Sequence, residues 1–156
     1  MWTLSGFVDE ISDDFSEQCK VAAGLGLRYV EVRSAWGTNI LDLDDAQLAT
    51  VQETLAEHSL MVSSIGSPIG KIGIDDEFPP HLERMRHAVD VAKTLEAPYI
   101  RLFSFFIPEG TDPDSRRDEV LGRMSALADA AADSDVAGYL PRVLLCHEQA
   151  GPALTL

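Results

Sequence analysis

Short runs rich in β-branched and aromatic residues alternate along this chain with longer amphipathic runs, and this alternation constrains the fold most. Five runs have the composition of strands: Thr3–Val8, Tyr29–Arg33, Met61–Gly66, Tyr99–Phe105 and Val143–Glu148. Helical runs separate them, near residues 15–25, 44–58, 79–96 and 114–133. Because strands joined through a helix must be connected by a crossover rather than a hairpin turn, we expect a parallel sheet.

Residues typical of helix ends support these boundaries. Asp14 followed by Glu17, and Asp44 followed by Gln47, predict capping boxes at the first two helices. The other boundary signals are prolines typical of a first helical turn and glycines typical of a helix end, namely Pro79, Pro80, Pro113, Gly24 and Gly26.

Two parallel α/β architectures fit this order of elements. One is an open doubly wound sheet, and the other is part of a (β/α)8 barrel. With 156 residues, 46% of them hydrophobic, the chain is expected to form one domain with its own core. A whole barrel needs about 250 residues, so in the barrel interpretation the single domain 1–156 is incomplete at its C-terminus and holds about five strands and four helices.

The charge balance is strongly acidic, with 26 Asp and Glu against 12 Lys and Arg and a formal net charge of −14. Such a field repels a nucleic-acid backbone, so nucleic-acid binding is not expected. No signal peptide and no apolar run long enough for a membrane span is visible, and Cys19 and Cys146 form no disulfide framework. These features predict a cytoplasmic protein without a membrane partner.

Two segments resemble known binding motifs but lack residues that those motifs need. The segment from Gly66 to Lys71 has only three residues between its glycines, and Ile72 follows the lysine, so it is not a nucleotide-binding P-loop. The acidic run from Asp42 resembles a calcium loop, but Gln47 occupies the position where glycine must make the turn.

Polar residues on the strands are better candidates for a site. Glu31 and Arg101 lie on the strand faces opposite their apolar neighbours, which predicts either an ion pair or a site for a polar substrate. Ser67 and Lys71 follow the third strand, at the rim where parallel α/β folds bind ligands, and are candidate substrate contacts. His147 and Glu148 close the fifth strand at the same rim, whereas the other histidines, His58, His81 and His87, are expected on helix surfaces.

Taken together, several segments resemble the sugar phosphate isomerase/epimerase family, whose members are xylose isomerase-like TIM barrels. The resemblance covers nearly the whole chain in order. It rests on residues 6–12 (GFVDEIS), 29–33 (YVEVR), 63–71 (SSIGSPIGK), 99–105 (YIRLFSF) and 145–148 (LCHE).

The resemblance implies a divalent-metal site at the carboxyl ends of the strands, with Mn²⁺ or Mg²⁺ favoured over Co²⁺ or Zn²⁺. Glu148 matches the first metal ligand, which also moves the proton during catalysis, and the other three ligands have no counterpart in these 156 residues. Gln149 stands where the family motif has asparagine. Glu31 and Arg101 are expected to point toward the substrate, with His147, Ser67 and Lys71 as further contacts.

The first hypothesis is therefore a metal-dependent isomerase or epimerase of a sugar or sugar phosphate, acting by proton transfer beside a carbonyl through an enediolate. A second hypothesis is a non-catalytic partial barrel that self-associates through open sheet edges or binds a partner. A third is a complete doubly wound domain that binds a small anion.

Overall fold

The computed structural model describes residues 4–132 and 142–145 of the chain. Four helices lie in this part: α1 (Phe15–Gly24), α2 (Asp45–Glu57), α3 (Pro79–Thr94) and α4 (Arg117–Ala132). The strands are β1 (Tyr29–Val32), β2 (Ser34–Ala35), β3 (Thr38–Asn39), β4 (Met61–Ile65), β5 (Tyr99–Leu102) and β6 (Arg142–Leu145). Two short 3-10 helices span Ile40–Asp42 and Pro113–Arg116. No helix among the described residues is long and apolar enough to cross a membrane.

The main sheet is parallel, and its strands follow chain order, β1-β4-β5-β6. Phe7 forms an isolated parallel bridge with Glu31, which places the N-terminal segment on the other side of β1. A doubly wound sheet reverses its strand order at one point, and the described strands show no such reversal. The order is that of a partial barrel, which confirms the barrel interpretation and not the doubly wound one.

Strand alternation determines which side chains enter the core. Val30 and Val32 of β1, and Ile100 and Leu102 of β5, are buried, and the residues between them are half-buried. Their burial partners are the apolar faces of the helices, chiefly Phe15, Cys19, Val51, Met85 and Leu127. The predicted assignment of Glu31 and Arg101 to the opposite face of the sheet is therefore confirmed.

Some boundaries differ from the sequence prediction. In the described part of the predicted first strand, pairing is limited to the bridge at Phe7. Strand β5 ends at Leu102 rather than at Phe105, since Phe105 has a positive φ of 70° that an extended strand does not allow. The hairpin β2–β3 was missed, because Trp36 occupies a left-handed turn position, with φ 54°, that a bulky residue rarely takes.

Capping explains where the first two helices begin. At α2 the predicted box forms completely: the Asp44 carboxylate accepts from the Gln47 N–H, and the Gln47 side chain accepts from the Asp44 N–H. At α1 only half of it forms, because the Asp14 N–H donates to the Ser12 hydroxyl instead of Glu17.

Candidate functional site

Three cationic side chains and two aromatic rings meet at the carboxyl ends of the parallel strands. We call this group the rim cluster: Phe7, Arg33, Lys71, Arg101 and Phe103. The guanidinium carbon of Arg101 lies 4.2 Å from the centre of the Phe7 ring and 5.2 Å from that of Phe103. Arg33 lies 4.9 Å from the Phe7 ring, and the Lys71 ammonium lies 4.4 Å from the Phe103 ring. These distances are within the range of cation–π attraction.

Arg33 is neutralised by acidic neighbours. Its Nε donates to Asp9 Oδ2 at 2.6 Å and its Nη2 to Asp9 Oδ1 at 3.0 Å, a bidentate pair, and Glu10 adds a third contact. Burial acts to raise the pKa of the Asp9 carboxyl, but hydrogen bonds from Arg33 and Ser34 outweigh it and hold this pKa below its usual value. Asp9 and Arg33 therefore remain a charged pair at neutral pH.

Arg101 has no comparable partner within the described residues. Its Nε is buried and makes no hydrogen bond there, and its guanidinium forms no ion pair with Glu31 or any other described carboxylate. The ion pair between Glu31 and Arg101, one of the two outcomes left open by the sequence, does not form. Contact with two aromatic rings is what holds this cation in place.

Residues 66–74, which we call the rim loop, carry Ser67 and Lys71 between β4 and α3. Ser67 is buried; its hydroxyl donates to the Arg101 carbonyl at 2.5 Å and accepts from the Ile69 N–H at 3.3 Å. Lys71 is exposed, and its side chain pairs with no carboxylate among the described residues. Ser67 thus connects the rim loop to β5, whereas the charge of Lys71 faces solvent.

Backbone hydrogen bonds hold the rim loop against the segment that follows β5. The Phe103 and Phe105 amides donate to the Ile69 and Gly70 carbonyls at 2.8 and 3.0 Å. Gly70 has a φ of 88°, and a Cβ at this position would lie 1.8 Å from the Phe103 carbonyl oxygen. Only glycine allows the loop to approach this closely, and the approach brings Lys71 next to Phe103.

His81, at the start of α3, fixes the same loop from the other side. Its Nε2 accepts a hydrogen bond from the Gly70 N–H at 2.6 Å, so the ring is neutral. Burial lowers the pKa of His81, and the nearby charges of Arg84 and Arg123 lower it further. The expectation that His81 lies on the helix surface is wrong: its side chain is buried, because it accepts from an otherwise unpaired amide of the loop.

The other predicted site residues, His147 and Glu148, lie outside the described residues. Among residues 4–132 and 142–145, no group of three or more His, Cys, Asp or Glu side chains could hold a metal ion.

Cys19 is a buried core residue rather than a site residue. Its burial raises the pKa of the thiol to about 12.

Sequence reasoning did not single out Phe7, Phe103 or Asp9 as part of a site. Each lies at the carboxyl end of a predicted strand, and this position was the available signal. The role of Phe7 and Phe103 was missed because aromatic residues at strand ends are ordinary core residues unless a cation packs on them. That contact joins residues that are far apart in the sequence.

Comparison with known proteins agrees with the partial-barrel fold. Residues 19–140 match the family described as the xylose isomerase-like TIM barrel, and the chain belongs to that family. No curated protein sequence matched it.

Three similar solved structures illustrate the fold. A xylose isomerase-like TIM barrel protein from Mycobacterium smegmatis, in complex with magnesium, is 17% identical, with a TM-score of 0.65 over 85% of this chain and 52% of that one. A D-tagatose 3-epimerase-like protein is 16% identical, with a TM-score of 0.68 over 90% and 51%. D-allulose 3-epimerase from Methylomonas sp., in complex with D-allulose, is 21% identical, with a TM-score of 0.61 over 90% and 50%. The chain spans about half the length of these structures.

Proposed function

We propose that this chain acts as an isomerase or epimerase of a sugar or sugar phosphate, moving a proton beside a carbonyl through an enediolate. The observation that carries the proposal is the polar inner face of the sheet: Glu31 and Arg101 lie opposite the helix-covered core, in a chain of the xylose isomerase-like family. Polar residues in the interior of a barrel are costly unless they are paired or bind a polar molecule.

In this proposal Glu148 takes the proton from the carbon next to the carbonyl, and a carboxylate within hydrogen-bonding reach of that carbon is suited to this step. In an isomerisation Glu148 would return the proton to the neighbouring carbon of the enediolate. In an epimerisation a second acid group on the opposite face would return a proton to the same carbon. The residues proposed to contact the substrate are Glu31, Arg101, Ser67, Lys71 and His147. The Ser67 hydroxyl also donates to the Arg101 carbonyl and accepts from the Ile69 N–H, and these bonds fix the rim loop next to β5.

A divalent cation is part of the proposal, with Mn²⁺ or Mg²⁺ preferred and Co²⁺ or Zn²⁺ as alternatives, and Glu148 as one ligand. The described residues supply no set of ligands that fits such an ion. We therefore derive no step through the metal and treat metal dependence as a property to be measured.

The test is an assay of ketose C3-epimerisation and aldose–ketose exchange with the purified chain, with and without added Mn²⁺. We expect metal-dependent turnover that Glu148→Gln reduces by about 10² or more, since a general base contributes about 10²–10⁴. The matched control is Glu57→Gln, the same change at an exposed position on α2.

Turnover by the original chain that Glu148→Gln leaves unchanged would remove Glu148 from the mechanism. No turnover in either assay, with Mn²⁺ or with Mg²⁺, Co²⁺ or Zn²⁺ in its place, would overturn the proposed activity.

We also propose that the chain is located in the cytoplasm. Fractionation of cells that produce the chain tests this location.

We also propose that the chain self-associates. Within the described residues β6 pairs on one side only, with β5, and such an edge presents unpaired backbone groups to a second strand. Light scattering coupled to size-exclusion chromatography is expected to show a dimer or larger assembly, and a monomer at all concentrations would contradict this.

A further inference from the structure

Most cationic side chains of this acidic chain are paired. Among the described residues, the cations that form ion pairs with a carboxylate are Lys20, Arg33, Arg84, Arg86, Lys93, Arg116 and Arg123. Four described cations form none there, although acidic residues outnumber basic ones by 26 to 12: Arg28, Lys71, Arg101 and Arg117. Of these four, Lys71 and Arg101 pack against the same ring, that of Phe103.

The fold brings these two cations to the same ring. Arg101 comes from β5, whereas Lys71 comes from the rim loop, which hydrogen bonds from Phe103 and Phe105 fix next to β5. The steric demand at Gly70 allows little freedom in this approach. Two positive charges thus pack against one ring without a compensating carboxylate among the described residues.

Arg33 provides an internal comparison. It packs on the same Phe7 ring as Arg101, but its charge is satisfied by Asp9 and Glu10. An uncharged side chain could also pack against these rings, and an acidic partner could neutralise Arg101 as Asp9 neutralises Arg33. A buried guanidinium Nε with no partner is unfavourable unless a ligand supplies the acceptor.

We propose that Arg101, on β5, and Lys71, in the rim loop, bind an oxyanion group of the substrate. This inference rests on the proposed function and narrows its substrate to an anionic sugar, carrying either a phosphate or a carboxylate. Arg101 supplies planar donors suited to such a group, and Lys71 supplies a second positive charge. The Phe7 and Phe103 rings pack against the Arg101 guanidinium.

The test is calorimetric titration of the purified chain with D-fructose 6-phosphate, D-glucuronate and D-fructose at low salt. Three variants are compared with the original chain: Arg101→Gln, Lys71→Gln and Lys20→Gln. Lys20 is the matched control, because it is an exposed lysine on α1 outside the rim cluster. Lys71→Gln changes an exposed side chain, so it keeps the test valid if Arg101→Gln unfolds.

We expect one of the two anionic sugars to bind more tightly than D-fructose, and the two anionic probes distinguish phosphate from carboxylate recognition. Arg101→Gln and Lys71→Gln should each weaken that binding by about tenfold or more, as expected for loss of a hydrogen bond to a charged group. Lys20→Gln should leave it unchanged.

Equal binding of D-fructose and both anionic sugars, binding of neither anionic sugar, or equal affinities in all variants would overturn the inference. The measurement needs no turnover, so its failure is separate from failure of the proposed activity. A chain that epimerises a neutral sugar and binds no anion would retain the proposed function and lose this inference.

Discussion

At the scale of single residues, Gly70 is where the rim loop and the segment after β5 come closest. Its φ of 88° lies in the region that favours glycine, and its α-carbon faces the carbonyl of Phe103. Its own carbonyl accepts from the Phe105 N–H and its N–H donates to His81. One residue without a side chain therefore allows three contacts that together position Lys71.

Gly70→Ala is expected to lower the free energy of unfolding by about 3 kcal/mol or more, because backbone strain and a clash with backbone atoms act together. Gly26→Ala is the matched control. Gly26 also has a positive φ, of 78°, but a Cβ there would meet no atom within 4 Å. The control should lose only about 1–2 kcal/mol.

Urea denaturation of both variants measures the difference. Equal losses in the two proteins would show that the close approach at Gly70 contributes nothing beyond the positive φ.

At the scale of elements, the rim loop depends on α3 as well as on β5. His81 reaches from the first turn of α3 to the Gly70 amide, and its ring lies 6.3 Å from that of Phe105. Protonation of the ring would remove the acceptor, because both nitrogens of a charged imidazole are donors. The position of the loop is therefore linked to the charge of one histidine.

The pKa of His81 is lowered in the folded chain, so below the ordinary value of 6.5 the unfolded chain binds the proton first. Stability is full above this pH and decreases as the pH falls from there toward the lowered pKa. We expect His81→Gln, whose amide oxygen can still accept from Gly70, to flatten this decrease.

Denaturation midpoints measured between pH 7.5 and 5 check this expectation, with His58→Gln as a control that removes a histidine at the end of α2. If the midpoints of the original chain and His81→Gln fall in parallel with pH, the linkage to His81 is disproved.

At the scale of the whole molecule, 26 acidic residues face 12 basic ones, which leaves a formal net charge of −14. Like charges on a compact molecule repel one another and weaken the folded state. Salt screens such charges over distances of about 10 Å at 0.1 M. The overall charge therefore makes stability depend on ionic strength.

We expect the melting temperature to rise when NaCl is increased from 20 to about 200 mM, over which the screening length falls markedly. The surface ion pairs, each worth about 0–1 kcal/mol, weaken over the same range and oppose the effect only partly. A melting temperature that falls with salt would mean that these ion pairs outweigh the net repulsion.

The sequence by itself determined the four helices of this protein and the strands β1, β4 and β5, apart from some of their ends. Period-2 alternation at residues 29–33 and 99–102 specified which strand residues are buried, and the capping box at Asp44 specified where α2 begins. These features depend on neighbours along the chain, and so they can be predicted from local pattern. The partial barrel followed from the order of the elements and from the family resemblance.

Only the tertiary structure decided which charges remain uncompensated. Arg33 and Arg101 look alike in the sequence, yet Asp9 and Glu10 neutralise one and no described carboxylate neutralises the other. The Ser67 hydroxyl joins the rim loop to β5, which the sequence did not predict, and its contact with substrate stays a prediction. These outcomes depend on contacts between residues 23 to 34 positions apart, which no local pattern encodes.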